Sequence, residues 1–252
     1  MKLAVQPGTL FPEGPFTNRL DLFPSLRFMG SKFRLLSWIS QIASELRFET
    51  VLDAFSGSGC VAYLFKSLGK AVTANDAMNI SATIARALIE NRETIIAPEE
   101  LRLLLEYDSR HLTFIQQTFD GIKRYRFLEG LSLYWKDAEI LAGSRVKKLK
   151  KRFTPFSYRK TALDAFERLF RKFRASTLVL SYSSNGFPDL DVLIELMRRY
   201  KERVVVHSKD HRYHFGTHDA AARNEVTEHL TWKARRNDLR KLVQSQSIGE
   251  IT

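Results

Sequence analysis

The amino-acid sequence predicts an α/β fold with a doubly wound, mostly parallel sheet. Two short apolar runs, at residues 50–55 and 71–74, are each followed by a segment with the apolar spacing of an amphipathic helix. A glycine-punctuated turn joins the first run to its helix. Strands that alternate with helices form parallel sheets, and ligands lie beyond the carboxyl ends of those strands. The turn after residue 55 is therefore the first candidate site.

Composition and charge restrict the class of protein. At 252 residues with 44% hydrophobic content, the chain can bury a substantial core. Its one cysteine, Cys60, excludes an internal disulfide and fits a reducing compartment. Neither a membrane-spanning run nor a signal-peptide pattern occurs, which predicts a cytoplasmic protein without a membrane partner. The net charge of +12 indicates a polyanionic partner, and nucleic acid is the first choice.

The first 32 residues predict an arm and then a turn. Residues 1–26 contain four prolines among few periodic positions, which is typical of a surface arm. In the turn that follows, Ser31 is a candidate N-cap, and Lys32 falls in the first turn of a helix, where a cation is unfavourable. Lys32 therefore either contacts a ligand or is simply solvated. The apolar stripe of this helix comprises Leu35, Leu36, Ile39, Ile42, Ala43 and Leu46.

The loop at residues 53–59 has the features of a nucleotide-type site. Gly57 and Gly59 can adopt positive φ and leave room for a ligand at a helix N-terminus, although glycines are also ordinary turn residues. The second strand ends at Asp76, where such sheets place an acid on a ribose diol. Cys60 continues the helix and no third glycine follows, which argues against a dinucleotide. S-adenosylmethionine, with one nucleoside and no phosphates, remains.

The rest of the chain continues the alternation of helices and strands. Hydrophobic periodicity and turn residues predict the element bounds, and Asp189 is a candidate N-cap. We expect the helix that follows the basic region to bury the side chains of Leu163 and Phe170. The segment after residue 234 is predicted to be a polar tail. The predicted helices are 61–68, 79–91, 98–107, 157–173 and 190–200, and the predicted strands are 177–182, 203–207 and 228–233.

Basic and aromatic residues at 123–156 are expected to face DNA. A charge run is usually a solvated face, but aromatic neighbours and the overall basic excess favour phosphate contact here. A loop at 211–216 offers further contacts to phosphates or a base. The candidate DNA-binding residues are Lys147, Lys148, Lys150, Lys151, Arg152, His211 and Arg212. We expect no metal at His207, His211, His214 and His218, because no cysteine joins them and their spacing does not ensure convergence.

Three motifs, Arg27-Phe28-Met29-Gly30-Ser31-Lys32, Asp53-Ala54-Phe55-Ser56-Gly57-Ser58-Gly59 and Asn75-Asp76, resemble the opening of Dam-like adenine-specific DNA methyltransferases. The resemblance extends over residues 27–233. It implies a fold of the S-adenosylmethionine-dependent methyltransferase type and methyl transfer to adenine N6 in double-stranded DNA, as in restriction-modification. It also implies that the cofactor contacts Phe28, Gly30, Lys32, Asp53, Phe55, Gly57, Gly59 and Asp76.

The sequence departs from this family at the catalytic step. The family signature is Asp-Pro-Pro-Tyr or a close variant after the fourth strand, whereas this chain has no Pro-Pro pair, so its catalytic residues are unassigned. A flipped adenine needs an acceptor side chain, a backbone carbonyl and an aromatic face. The alternative interpretation is a catalytically inactive DNA-binding or partner subunit. A third interpretation is an RNA or small-molecule methyltransferase, but it explains less well that residues 178–186 and 211–218 also resemble the C-terminal half of the family.

The sequence also has little room for a central strand. The chain passes abruptly from Ile122 into the basic Lys123, which predicts a missing segment at this junction. Either residues 112–119 pair with the first strand, or the first and fifth strands meet directly. A partner chain that supplies the missing elements is a further possibility, since an unfilled gap leaves backbone groups unpaired.

Overall fold

The computed structural model describes part of the chain, divided into two compact units. The described residues are 20, 22–24, 26, 28, 30–106, 129, 130, 132, 140, 141, 148, 149, 153–212 and 225–232. The first unit comprises residues 1–37 and 48–152, and the second comprises residues 38–47 and 153–252. Apart from residues 20, 22–24 and 26, the predicted N-terminal arm lies outside the described residues, as does the predicted tail.

A short 3-10 helix, Phe33–Leu35, leads into helix α1, Leu36–Ser44. Leu35, Leu36, Ile39 and Ile42 are buried, which confirms most of the predicted apolar stripe. Their spacing places them on one side of the helix, because residues three and four apart share a face. This segment joins the first unit to the second along the chain.

The first unit is built on a parallel strand pair. Strand β1, Thr50–Asp53, is followed by helix α2, Cys60–Ser67, and by strand β2, Ala71–Ala74. The two strands pair in parallel register from Thr50 opposite Ala71 to Asp53 opposite Ala74. A parallel connection requires a crossover, which α2 supplies. The predicted strand–helix–strand unit is confirmed, although β1 ends at Asp53 and not at residue 55.

Helix α2 buries one face in the first unit. Its buried residues are Cys60, Ala62, Leu64, Phe65 and Ser67. The ring of Phe65 meets Phe48 edge-on, with 5.5 Å between the ring centroids. Gly69, with φ of 77°, follows the helix and allows the chain to turn sharply into β2, which confirms the predicted helix end.

Two further helices follow β2 in the first unit. Helix α3, Asn79–Ala85, continues as a single π-helical turn, Arg86–Glu90, so the predicted helix 79–91 is confirmed as one continuous helical segment of two types. Helix α4, Pro98–Leu105, begins with proline at the position where a missing N–H costs nothing. Two short strands, β3 at Ile140–Leu141 and β4 at Lys148–Leu149, pair antiparallel.

The second unit packs two helices with a three-stranded sheet. Helix α5, Arg159–Lys172, follows the 3-10 turn Pro155–Ser157, and helix α6 is Leu190–Arg198. Its strands are β5, Val179–Ser183; β6, Val205–Arg212; and β7, Glu225–Trp232. The buried core of this unit comprises Phe166, Phe170, Leu193, Leu196 and Met197, and partly buried Leu180 and Tyr182 of β5 pack against it.

The sheet of the second unit has the order β5-β7-β6. Strand β7 is antiparallel to both neighbours, so β5 and β6 run in the same direction. Mixed sheets of this kind are common, with one reversed strand in an otherwise parallel arrangement. The described residues therefore show a parallel pair in one unit and a mixed-direction sheet in the other, whereas the sequence predicts one doubly wound sheet.

Several details of the prediction are wrong. The side chain of Leu163 is 40% exposed, because the buried face of α5 is formed by other residues, among them Ala162 and Phe166. His211 and Arg212 belong to strand β6 and not to a loop, because β6 continues in register with β7 to Arg212. Ser31 does not occupy the N-cap position, which belongs to Lys32.

Other sequence-based expectations fall on residues that the structure does not describe. Residues 112–119, the junction of Ile122 and Lys123, and most of 123–156 belong to this group. Within the described part of the chain, no helix combines the length and apolar character needed to cross a membrane.

Candidate functional site

The loop between β1 and α2 is shaped by its two glycines. Gly57 has φ of 51° and Gly59 has φ of 75°, and both values lie in the left-handed region that other residues avoid. Gly59 is also the N-cap residue of α2, and its N–H donates to the Ser56 carbonyl at 2.7 Å. The loop therefore reverses direction within a few residues and delivers the chain to the start of a helix.

Asp76 fastens this loop to the end of β2. Its Oδ2 accepts a hydrogen bond from the Gly57 N–H at 2.9 Å, and its Oδ1 accepts one from the Met78 N–H at 2.9 Å. The neighbouring Asn75 adds two bonds, because its N–H donates to the Asp53 carbonyl and its Nδ2 donates to the Ala54 carbonyl. The sequence places Asp76 beside the loop but does not reveal that its carboxylate braces the loop itself.

Phe28 lies directly against the loop. A methyl group on Gly57 would lie 3.3 Å from the Phe28 ring, closer than most such contacts. Glycine is therefore needed at position 57 for its backbone conformation and for this close approach. Phe28 and Gly57, which the sequence assigns to one site, are in contact.

The turn before α1 is connected to the same loop by hydroxyl groups. The Ser31 and Ser58 hydroxyl oxygens lie 3.2 Å apart, and Ser31 Oγ lies 3.7 Å from Cys60 Sγ. Ser31 Oγ also accepts a hydrogen bond from the Phe33 N–H at 3.3 Å. Because Lys32 immediately follows Ser31, the structure brings the lysine-bearing turn and the glycine loop together, as the sequence predicts.

Two ionisable groups at this loop have raised pKa values. Burial raises the pKa of Asp53 from 3.8 to about 6, with a small further rise from Asp76, and backbone hydrogen bonds from Phe55 and Ala62 only partly oppose this. Burial also raises the pKa of the Cys60 thiol. A buried thiol is a poor nucleophile because the thiolate is the reactive form. Cys60 therefore acts as a small packing residue. The carboxyl group of Asp53, in contrast, changes its protonation state near pH 6.

The loop carries one buried polar group and two exposed apolar groups that suit a ligand with polar and aromatic parts. The Ser56 side chain is buried, and its hydroxyl has no hydrogen-bond partner among the described residues. Phe55 is 53% exposed and Leu52 is 46% exposed at the end of β1. A buried hydroxyl without a partner is costly in a finished core, so its presence favours a site that is completed by a ligand.

Glu129 belongs to the site although sequence analysis does not identify it. Its Oε1 accepts hydrogen bonds from the Asn79 N–H at 2.9 Å and from Asn79 Nδ2 at 2.8 Å, and its Oε2 accepts one from the Ile80 N–H at 3.0 Å. The carboxylate thus caps the start of α3, three residues after Asp76. The sequence does contain one sign that α3 is capped from elsewhere in the chain. Its N-cap residue is Met78, whose side chain cannot accept a hydrogen bond from the first N–H groups of the helix.

A separate cavity of about 290 Å³ lies in the first unit. None of the predicted cofactor residues lines it. The Lys66 ammonium beside it donates to the carbonyl oxygens of Leu88 at 2.9 Å and Asn91 at 2.7 Å, at the end of the π-helical turn. Lys66 is thus a helix C-terminal cap, and this cavity is not part of the loop site.

The predicted DNA-binding residues are only partly described. Lys147, Lys150, Lys151 and Arg152 lie outside the described residues, and Lys148 is the first residue of β4. His211 and Arg212 end strand β6. Their role as a group therefore stays a prediction. Among the residues that the structure describes, no cluster of three or more His, Cys, Asp or Glu side chains has a metal-binding arrangement.

Part of the sequence matches the model of a known protein family. The model for the D12 class of N6 adenine-specific DNA methyltransferases matches residues 28–189, which is more than half of the chain. The matched region contains Phe28, the loop at residues 53–59 and Asp76. The resemblance in the sequence motifs is therefore confirmed.

Two curated proteins are similar over shorter segments. The Type II methyltransferase M2.HphI of Haemophilus parahaemolyticus is 35% identical over 75 residues, or 29% of this chain and 22% of that protein. The modification methylase LlaI of Lactococcus lactis subsp. lactis is 28% identical over 102 residues, or 40% of this chain and 16% of that protein. The chain thus matches less than a quarter of the length of each relative. No solved structure matches the chain significantly.

Asp53 gives the protein a specific pH dependence. Its pKa is about 6 in the folded chain and near 3.8 ordinarily, so the folded state binds more protons within this interval. Stability from this group is therefore present at low pH and is lost as pH rises from about 4 to about 6. We expect Asp53→Asn to become more stable relative to wild type across this interval, by about 3 kcal/mol in total.

Denaturant unfolding of both proteins at several pH values measures this difference. Asp164→Asn, at an exposed position of α5, reports the effect of the same chemical change on the surface. A stability difference between Asp53→Asn and wild type that does not change with pH contradicts the assignment.

Glu129 should contribute to stability through its helix cap. Glu129→Ala removes the acceptor for the Asn79 and Ile80 N–H groups, and we expect the free energy of unfolding to fall by about 1–2 kcal/mol. Glu93→Ala is the matched control, because Glu93 is exposed and should change stability by less than about 0.5 kcal/mol. Urea titration of the three proteins tests this, and equal stabilities would remove Glu129 from the cap.

Proposed function

The chain belongs to the D12 class of N6 adenine-specific DNA methyltransferases, and from this membership we propose that it binds S-adenosylmethionine and methylates adenine N6 in DNA. The observation that carries the proposal is the bond from the Gly57 N–H to Asp76, inside the matched region. This bond joins the glycine loop to the acid that follows β2, at the carboxyl ends of two parallel strands, where ligands bind in such sheets.

We also propose that β1 and β2 belong to a doubly wound sheet of the S-adenosylmethionine-dependent methyltransferase type. The parallel pair with its crossover helix supports this, and so does the family membership. The relatives are named as a methyltransferase and a modification methylase, which supports a role in DNA methylation and restriction-modification.

The residues at the loop fit a nucleoside with a charged amino-acid part. A carboxylate has about four lone-pair positions, and Asp76 uses one on each oxygen for the backbone, so it can still accept from ribose hydroxyls. The buried Ser56 hydroxyl supplies a further donor or acceptor. Gly57 and Gly59 have no side chains, so a ligand can approach the backbone of the loop.

The cofactor supplies a methyl group activated by a positively charged sulfur, and the chain supplies positioning and charge. A cation near Asp53 would favour its ionised form and offset the cost of its burial. Phe28, Gly30 and Lys32 lie on the turn that is linked to the loop through Ser31, and they complete the proposed cofactor site together with Phe55.

Double-stranded DNA is the proposed substrate. The net charge of +12 supports this, because basic residues bind phosphates through counterion release. Lys147, Lys148, Lys150, Lys151, Arg152, His211 and Arg212 are the proposed contacts. No residue of the described part of the chain is assigned to hold the adenine amine.

A second candidate function is that of a catalytically inactive subunit. The specific observation that favours it is the absence of a Pro-Pro pair, and therefore of the family's catalytic signature. Such a chain would bind the cofactor or DNA, and a partner chain would supply the group that holds adenine.

Cofactor binding tests the proposed site. We expect Asp76→Ala to weaken S-adenosylmethionine binding at least about tenfold, since it loses the ribose acceptor and the brace on Gly57. Asp76→Asn should lose less, because its amide oxygen can still accept one bond. Isothermal titration calorimetry measures the affinity, and exposed Asp191→Ala is the control. An unchanged affinity for Asp76→Ala would remove Asp76 from the site.

Methyl transfer then separates the two candidate functions. Transfer of a labelled methyl from S-adenosylmethionine to adenine-containing duplexes, and not to duplexes with N6-methyladenine at every adenine, supports the enzyme. Cofactor binding without transfer at any protein concentration contradicts the enzyme and supports the inactive subunit.

A further inference from the structure

Three exposed aromatic side chains and one arginine form two contacting pairs in the second unit, and the pairs are linked because Tyr158 and Arg159 are consecutive in the chain. Phe153 and Tyr158 stack with 5.1 Å between their ring centroids and 24° between their planes, and they are 63% and 42% exposed. The Arg159 guanidinium lies 4.6 Å from the centroid of Phe187, which is 41% exposed. We call Phe153, Tyr158, Arg159 and Phe187 the aromatic platform.

The first part of the platform is held in place by a partly buried neighbour. Phe156, in the 3-10 turn between Phe153 and Tyr158, packs edge-on against Phe166 of the core at 5.2 Å. Thr161 Oγ1 donates to the Pro155 carbonyl at 2.7 Å and ties the turn to α5. The ring of Phe156 thus packs against the core, and the rings of Phe153 and Tyr158 on either side of it in the sequence are exposed to solvent.

The second part of the platform is held by a compact loop after β5. The Gly186 N–H donates to the Ser183 carbonyl at 2.9 Å, and the Tyr182 hydroxyl donates to the Pro188 carbonyl at 2.6 Å. The Tyr182 ring packs so closely that a methyl group on Gly186 would lie 2.6 Å from it. Phe187 is therefore presented to solvent by a loop with little freedom.

The charge of the surrounding sequence identifies the kind of partner. Residues 140–163 contain eight Lys or Arg and no Asp or Glu, which is an arrangement suited to phosphates. Asp189 follows Phe187 by two residues, so the loop end of the platform is less basic than the end near Phe153. Aromatic rings beside such a basic stretch favour nucleic acid over a protein partner, because bases stack on rings while cations bind the backbone.

We propose that the aromatic platform stacks on unpaired nucleobases, so that the chain binds single-stranded or locally opened DNA in addition to duplex. Paired bases hide their faces inside the helix, whereas unpaired bases offer them to Phe153, Tyr158 and Phe187. Arg159 adds an exposed cation over the Phe187 ring, which suits contact with a phosphate or a base face. The proposal rests on the proposed function only in taking DNA as the nucleic acid.

Binding of labelled oligothymidylate and of a matched duplex tests the platform. Phe153→Leu, Tyr158→Leu and Phe187→Leu keep an apolar side chain but lose the aromatic face. We expect each variant to weaken single-strand binding about fivefold or more, and duplex binding far less. The salt dependence of binding should remain that of wild type, because none of these substitutions removes a charge. Fluorescence anisotropy measures both affinities.

The control is Leu163→Ala, an exposed apolar position on α5 outside the platform, which should bind both DNAs like wild type. A variant that combines Phe153→Leu, Tyr158→Leu and Phe187→Leu gives the largest expected effect. Single-strand affinity that is unchanged in this triple variant, or that falls in parallel with duplex affinity, overturns the proposal. S-adenosylmethionine affinity is measured for every protein. Failure of the wild-type chain to bind cofactor contradicts the proposed function, whereas the comparison of DNA affinities still decides the role of the platform.

Discussion

The carboxylate of Asp76 accepts the Gly57 N–H with one oxygen and the Met78 N–H with the other, and this pair of bonds sets the geometry of the first unit's site. A loop with two residues at positive φ has many alternative conformations when free, so its shape must be fixed from outside. Asp76 does so from the end of the adjacent strand. Because the bonds use backbone groups, the loop keeps its shape without filling the space beside it with side chains.

The parallel register of β1 and β2 is the reason that this contact forms. Asp53 lies opposite Ala74, so the residues that follow the two strands emerge at the same edge of the sheet. Glu129 extends the arrangement by capping the start of α3, immediately after Asp76 and Met78. The cost of this compact arrangement is a partly buried Asp53, whose pKa rises to about 6. A raised pKa beside a braced loop is typical of a functional site and not of a solvated turn.

Local sequence patterns predict the elements of this site because its interactions are mostly short in range. The strand–helix–strand unit, the conformations of Gly57 and Gly59 and the proximity of Asp76 all follow from residues 50–76. Contacts between distant segments are not predictable in this way. Glu129 is 50 residues from Asn79, and Arg159 is far along the chain from Phe187. Leu163 shows a different limit, since an apolar residue at helical spacing can still lie at the edge of the buried face.

We infer that Asp76 fixes the glycine loop before any ligand binds. Amide hydrogen exchange at Gly57 tests it most directly, because that N–H is the group that Asp76 accepts. In the ligand-free wild-type chain the Gly57 amide should be protected, and in Asp76→Ala it should exchange at least about tenfold faster while α2 keeps its protection. Equal exchange rates at Gly57 in the two proteins would contradict the claim.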